Sequence, residues 1–105
     1  MLEIDLESFA ARHAAGAVVI DVREAWEYTD GHVPGARLIP LAQLPSALPG
    51  LPRTEPVYVI CATGNRSKAA AGLLNATGIQ AYSVAEGTSG WARAGRPIVV
   101  GINEH

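Results

Sequence analysis

Short runs of apolar, largely β-branched residues alternate along this chain with stretches at helical spacing, and that alternation restricts the fold more than any other feature. Residues 18–22 (Val-Val-Ile-Asp-Val) and 57–60 (Val-Tyr-Val-Ile) are the clearest runs, and residues 2–4, 37–40 and 81–84 supply three further strand candidates. Between them a helix is expected over 6–15, where Leu6, Phe9 and Ala10 share a face and Asp5 can cap the first turn. Further helices are expected over 24–28, 67–77 and 89–94, with Gly78 as the stop of the longest. Prolines at 45, 49, 52 and 56 confine any helix after Leu41 to a short segment, and Pro97 closes the regular part, leaving a loose tail around 101–105. The order of elements implies an α/β domain with a largely parallel sheet, occupying residues 1–105 as one unit.

Composition removes several classes of function. A chain of 105 residues can bury one core without a metal or disulfide staple. Its net charge of −2, with acids and bases mixed along the chain, offers no basic stripe for nucleic acid. Pro, Gly or charge interrupts every apolar stretch before the roughly 20 residues that a membrane span requires. One cysteine makes no intrachain disulfide, and no basic segment followed by a long apolar one opens the chain, so a reducing cytoplasm is the expected compartment.

That one cysteine, Cys61, stands between the 57–60 run and the polar stretch Ala62, Thr63, Gly64, Asn65, Arg66 and Ser67, which leads into the longest helical segment. Strand, tight loop and helix in this order direct backbone N–H groups and a helix N-terminus at one spot, where a thiolate or another anion is favoured. In an open α/β sheet, ligands bind beyond the carboxyl ends of the strands. Asp21-Val22-Arg23-Glu24 and Glu86-Gly87-Thr88 follow strands on the same side and can share a site with Cys61. The candidate nucleophile is therefore Cys61, and the candidate binding residues are Ala62 through Ser67. A cysteine at such a turn is expected to be more reactive than a buried one.

Four segments, in order, carry a resemblance. Asp21-Val22-Arg23-Glu24 with Glu27-Tyr28, then Gly31-His32-Val33-Pro34-Gly35-Ala36 with Ile39-Pro40, then Cys61-x-x-Gly64-x-Arg66-Ser67 with Ala69-Ala70 and Leu73-Leu74, and last Gly87-x-x-x-Trp91-x-x-x-Gly95-x-Pro97, resemble the motifs of single-domain rhodaneses across nearly the whole chain. The resemblance implies a doubly wound sheet of about five parallel strands with helices on both faces. It implies a sulfurtransferase in which Cys61 takes the outer sulfur of a donor such as thiosulfate, holds it as a persulfide and passes it to a thiol, a protein thiol or cyanide. No metal or organic cofactor is implied. Related domains acting on phosphate or arsenate esters have Cys-x5-Arg spacing, whereas four residues separate Cys61 from Arg66 here, so that chemistry is disfavoured.

Several roles stay open at this level. Arg66 either faces the pocket and holds an anionic donor or turns back to Asp21 or Glu24 and braces the loop, the second being preferred. Gly64 is expected at positive φ. Thr63 and Ser67 can cap the helix or donate to the sulfur. Lys68 and Arg23 are weak ligand candidates, His32 is read as structural, and Tyr28 and Trp91 as core or edge aromatics. Residue 86 is glutamate where the family commonly has glycine. A carboxylate near the loop would repel a dianionic donor and raise the thiol pKa; pointing to solvent, it would do neither. Beside the enzyme stands a second class of function, a sulfur-relay or docking module loaded by a partner protein and slow with small donors.

Overall fold

The computed structural model describes residues 2–105; Met1, the first residue of the expected 1–105 unit, lies outside the described residues. Five strands, β1 (Glu3–Ile4), β2 (Val18–Asp21), β3 (Arg37–Leu38), β4 (Val57–Ile60) and β5 (Ala81–Val84), form one parallel sheet in the order β1-β5-β4-β2-β3. The helices are α1 (Leu6–Ala14), α2 (Ala25–Asp30), α3 (Leu44–Ala47), α4 (Asn65–Ala76) and α5 (Gly87–Arg93). Short 3-10 turns at Leu41–Gln43 and Leu48–Gly50 flank α3, which is as short as its prolines require.

Strand alternation divides the core in two, since successive side chains point to opposite faces. Ile20, Val57, Val59 and Cys61 pack with Leu44, Ala70, Ala71 and Leu74 under α3 and α4. Val19, Tyr58, Ile60 and Val84 pack on the other face with Phe9, Tyr28 and Trp91 from α1, α2 and α5. Both faces of β4 are covered, and all four of its residues are buried, which explains its unbroken apolar run.

Helix ends follow local chemistry. Asp5 accepts from the Ser8 amide at 2.7 Å and caps α1 as expected. Glu24 and Glu27 form a reciprocal capping box on α2. Two helices begin two residues earlier than their sequence pattern suggests: α4 at Asn65 and α5 at Gly87. In each case a residue at positive φ, Gly64 (109°) or Glu86 (64°), turns the chain directly from the loop into the helix.

The tail departs from expectation. Far from being loose, it is tied along the turn after α2: Val99 and His32 form an antiparallel bridge, Gly101 N donates to Thr29 O at 2.9 Å, and Gly35 N donates to Glu104 O at 2.6 Å. The turn after α2 leaves backbone donors and acceptors that need partners, and the tail supplies them. His32 is fully buried with one ring nitrogen 2.8 Å from Tyr28 O and the other 2.7 Å from Asn103 O, a structural placement that keeps it out of any proton-transfer role.

Candidate functional site

Cys61 follows the last residue of β4, at the carboxyl edge of the sheet, and the loop 61–64 turns over it into α4. It is 1 % exposed: the turn expected to make it more reactive than a buried cysteine also buries it, the sulfur lying under its own loop. The backbone amides of Gly64 and Ser67 donate to Sγ at 3.1 and 3.3 Å, and Ser67 Oγ lies 3.4 Å from it. Burial, the largest single influence, pushes the thiol pKa up. The Ser67 hydroxyl and the amides of Ser67, Gly64 and Thr63 together more than offset that, leaving the pKa below the ordinary value. The donors aimed at the sulfur favour its thiolate form despite its burial.

Each loop residue has a distinct position. Gly64 takes φ 109°, which lets its N–H turn inward to the sulfur. Ser67 is fully buried and bonds the sulfur; Thr63 and Asn65 are exposed, and the Thr63 side chain makes no capping bond to α4. Ala62 is held by its backbone, its carbonyl accepting from Ser89 N at 3.0 Å while the Cys61 carbonyl accepts from Thr88 N at 2.8 Å. That docking needs a glycine at 87, where a Cβ would overlap the Cys61 carbonyl oxygen and lie 2.7 Å from the Ala62 carbonyl group.

Arg66 braces the loop, but its partner is neither Asp21 nor Glu24. Its guanidinium grips Glu27 with both terminal nitrogens, at 2.6 and 2.8 Å. Asp21 is occupied by Arg23, at 2.7 Å in a buried pair that also reaches Gly31 O, and Glu24 is committed to the capping box. Arg66 holds the Glu27 pKa down at about 2, and Glu27 in turn raises that of Arg66. Spacing could have revealed Glu27, because its place three residues after Glu24 is a capping-box position that points its carboxylate back towards the loops.

The remaining charges stand apart from the sulfur. Lys68 Nζ lies 3.7 Å from Glu3, an exposed pair. Glu86 is exposed and its carboxylate lies 3.5 Å from Arg93, so of the two readings for this residue the solvent-facing one describes the structure. Beside the Glu27–Arg66 pair, α2 and α5 border a cleft of about 250 Å³ whose lining includes Glu27, Asp30, Thr88 and Ser89. Thr88 Oγ1 is the one buried side-chain oxygen or nitrogen among the described residues without a hydrogen-bond partner. No cluster of three potential metal ligands occurs among the described residues, and no helix there is long and apolar enough to cross a membrane.

The model of the rhodanese-like domain matches residues 5–94. The chain belongs to the rhodanese-like domain family. It is 32 % identical over 100 residues to a sulfurtransferase of Allochromatium vinosum, an alignment covering 92 % of this chain and 94 % of that one. It is also 34 % identical over 86 residues to the thiosulfate sulfurtransferase GlpE of Pseudomonas putida, covering 81 % and 78 %. A putative sulfur carrier protein of Bacillus subtilis, YrkF, is 33 % identical over 92 residues; the match takes in 85 % of this chain and only half of that protein. Among solved structures, a rhodanese-related protein of Thermoplasma volcanium superimposes with a TM-score of 0.89 at 32 % identity, covering 95 % of this chain and 99 % of the other. The five-stranded parallel sheet with helices on both faces is thus the family's fold, and relatives in it are named both as sulfurtransferases and as a sulfur carrier.

Proposed function

We propose that this protein transfers sulfane sulfur through a Cys61 persulfide, with Ala62 through Ser67 as the loop that receives it. The observation that carries this reading is the convergence of the Gly64 and Ser67 amides and the Ser67 hydroxyl on one sulfur in a loop with four residues between Cys61 and Arg66. The Cys61 thiolate attacks the outer sulfur of the donor. A bond forms from Sγ to that sulfur, the donor's S–S bond breaks, and its electron pair leaves with sulfite or with the donor thiolate. The negative charge then resides on the outer sulfur of Cys61. In the second half-reaction an acceptor thiolate or cyanide attacks that sulfur, and Cys61 is released as thiolate.

The loop suits both states. Its amides stabilise the thiolate, and the first-turn amides of α4 at Asn65 and Arg66, which have no intrahelical acceptor, can stabilise charge on the outer sulfur. The attacking species is the thiolate, so the sulfur-transfer step itself needs no general base beside the sulfur. We place the reaction in the cytoplasm and assign it to residues 1–105 as one unit.

A second reading, the relay module loaded by a protein persulfide, is favoured by one observation: the Arg66 guanidinium is engaged by Glu27 in a two-bond fork and is not free to match the second charge of thiosulfate. Loading rates by thiosulfate and by a protein persulfide, followed by intact mass, separate the readings. Rapid gain of one sulfur atom from thiosulfate supports the enzyme with a small dianionic donor; gain from the persulfide alone supports the relay. No gain from either overturns the persulfide chemistry itself.

A further inference from the structure

Ser83 occupies an unusual place. It is a fully buried hydroxyl on β5, on the sheet face that carries Ala81 against Val57, Val59, Ala70 and Leu74 under α4. Along β5, Tyr82 and Val84 turn to the opposite face, so an apolar residue would be expected at 83 by the same alternation. Its Oγ has one hydrogen-bond partner among the described residues, Ser67 Oγ at 2.7 Å. Ser67 is fully buried too, and its Oγ lies 3.4 Å from Cys61 Sγ and 3.1 Å from Gly64 O.

Each hydroxyl has one proton to donate, which limits the arrangements. With Cys61 as a thiol, its S–H donates to Ser67 Oγ, and Ser67 donates to the Gly64 carbonyl. With Cys61 as a thiolate, the sulfur has become an acceptor. Ser67 can then turn its proton to the sulfur while a lone pair on its Oγ continues to accept from a neighbouring donor. Ser83 is the hydroxyl within reach. Its own proton has no other acceptor among the described residues, so donation to Ser67 Oγ completes a chain from Ser83 through Ser67 to the sulfur, in which each bond polarises the next. Once the sulfur carries a persulfide, the charge has moved to the outer atom, and Ser67 can return its proton to Gly64 O.

We propose that Ser83 is a positioning residue for the Cys61 nucleophile: by donating to Ser67 Oγ it aims the Ser67 proton at the sulfur and supports the thiolate through a chain of two buried hydroxyls. The proposal rests on Cys61 being the nucleophile, and it assigns a role to a residue outside the loop and its motif. The charged group whose field acts with Cys61, Arg66 with its Glu27 partner, lies outside the hydroxyl chain and is unchanged in every variant below.

The test is the pH dependence of Cys61 alkylation by iodoacetamide in the full chain, for wild type, Ser83→Ala, Ser67→Ala and the double variant. Each substitution removes one oxygen and introduces no overlap. Ser83→Ala should raise the alkylation midpoint by about half a pH unit, as expected for loss of one hydrogen bond supporting a charged acceptor. In the Ser67→Ala background the same change should produce no further shift, since the chain is already cut. A midpoint unmoved by Ser83→Ala overturns the proposal, and so does an equal shift in the Ser67→Ala background, which would mark a general packing effect. Alkylation needs no sulfur donor, so failure of sulfur loading and failure of this chain are read separately.

Discussion

Replacing Glu27 by glutamine removes the charge that holds Arg66 while keeping an oxygen for the Glu24 amide in the capping box. The Glu27 carboxyl falls from 4.5 to about 2 in the folded protein, with the Arg66 hydrogen bonds as the largest cause and burial opposing them. At about 1.36 kcal/mol per unit the shift corresponds to roughly 3 kcal/mol. The Arg66 side chain is 37 % exposed, so solvent screening reduces the expected contribution to about 1–2 kcal/mol. Because the folded pKa is depressed, this stability is fully present above the unfolded value of 4.5 and is lost as pH falls towards about 2. Roughly half of it has gone by pH 3. Urea unfolding of wild type and Glu27→Gln should therefore differ by about 1–2 kcal/mol at neutral pH and by clearly less at pH 3. A difference that stays constant across this range would refute the assignment of the charge pair as the brace of the loop.

Three further outcomes follow from named contacts. Gly87→Ala places a methyl group against the Cys61 and Ala62 carbonyls, so it should cost about 2 kcal/mol or more and slow alkylation of Cys61, measured by urea unfolding and by mass. Glu86→Gly relieves a non-glycine residue at φ 64° and should stabilise the fold by up to about 1 kcal/mol, while leaving the alkylation midpoint and thiosulfate kinetics unchanged because the carboxylate lies by Arg93. A faster reaction with thiosulfate would restore the carboxylate to the site. Deleting residues 99–105 strips partners from His32, Gly35 and Thr29 and should lower stability by about 2–4 kcal/mol in a denaturant titration; an unchanged midpoint would mean the tail contributes nothing.

The parallel sheet was legible because Val57–Ile60 and residues 18–20 are continuous apolar runs, a pattern that burial on both faces demands. The short β1 and β3 were read as longer strands, over 2–4 and 37–40, and their places at the two edges of the sheet were not legible, since two residues carry no period. At the site, the position of Cys61, the positive φ of Gly64 and the bracing habit of Arg66 could be read from loop spacing. Glu27 left a spacing signal through its capping-box position after Glu24, but that Asp21 is not the partner depends on Arg23 taking Asp21 first, a pairing of side chains that spacing does not show. Ser83 left only a faint signal, a hydroxyl at a core-facing position of a strand. The docked tail left none, because backbone bonds such as those from Gly35 and Gly101 are insensitive to side-chain type.

The most direct test of the central claim is intact mass across one complete cycle. The protein is exposed to thiosulfate or a protein persulfide, freed of donor, weighed, and then treated with a thiol acceptor. The wild-type protein should gain one sulfur atom and lose it to the acceptor, and Cys61→Ser should do neither. A sulfur adduct that survives the Cys61→Ser substitution, or a loaded protein that never yields its sulfur to any thiol, would contradict it.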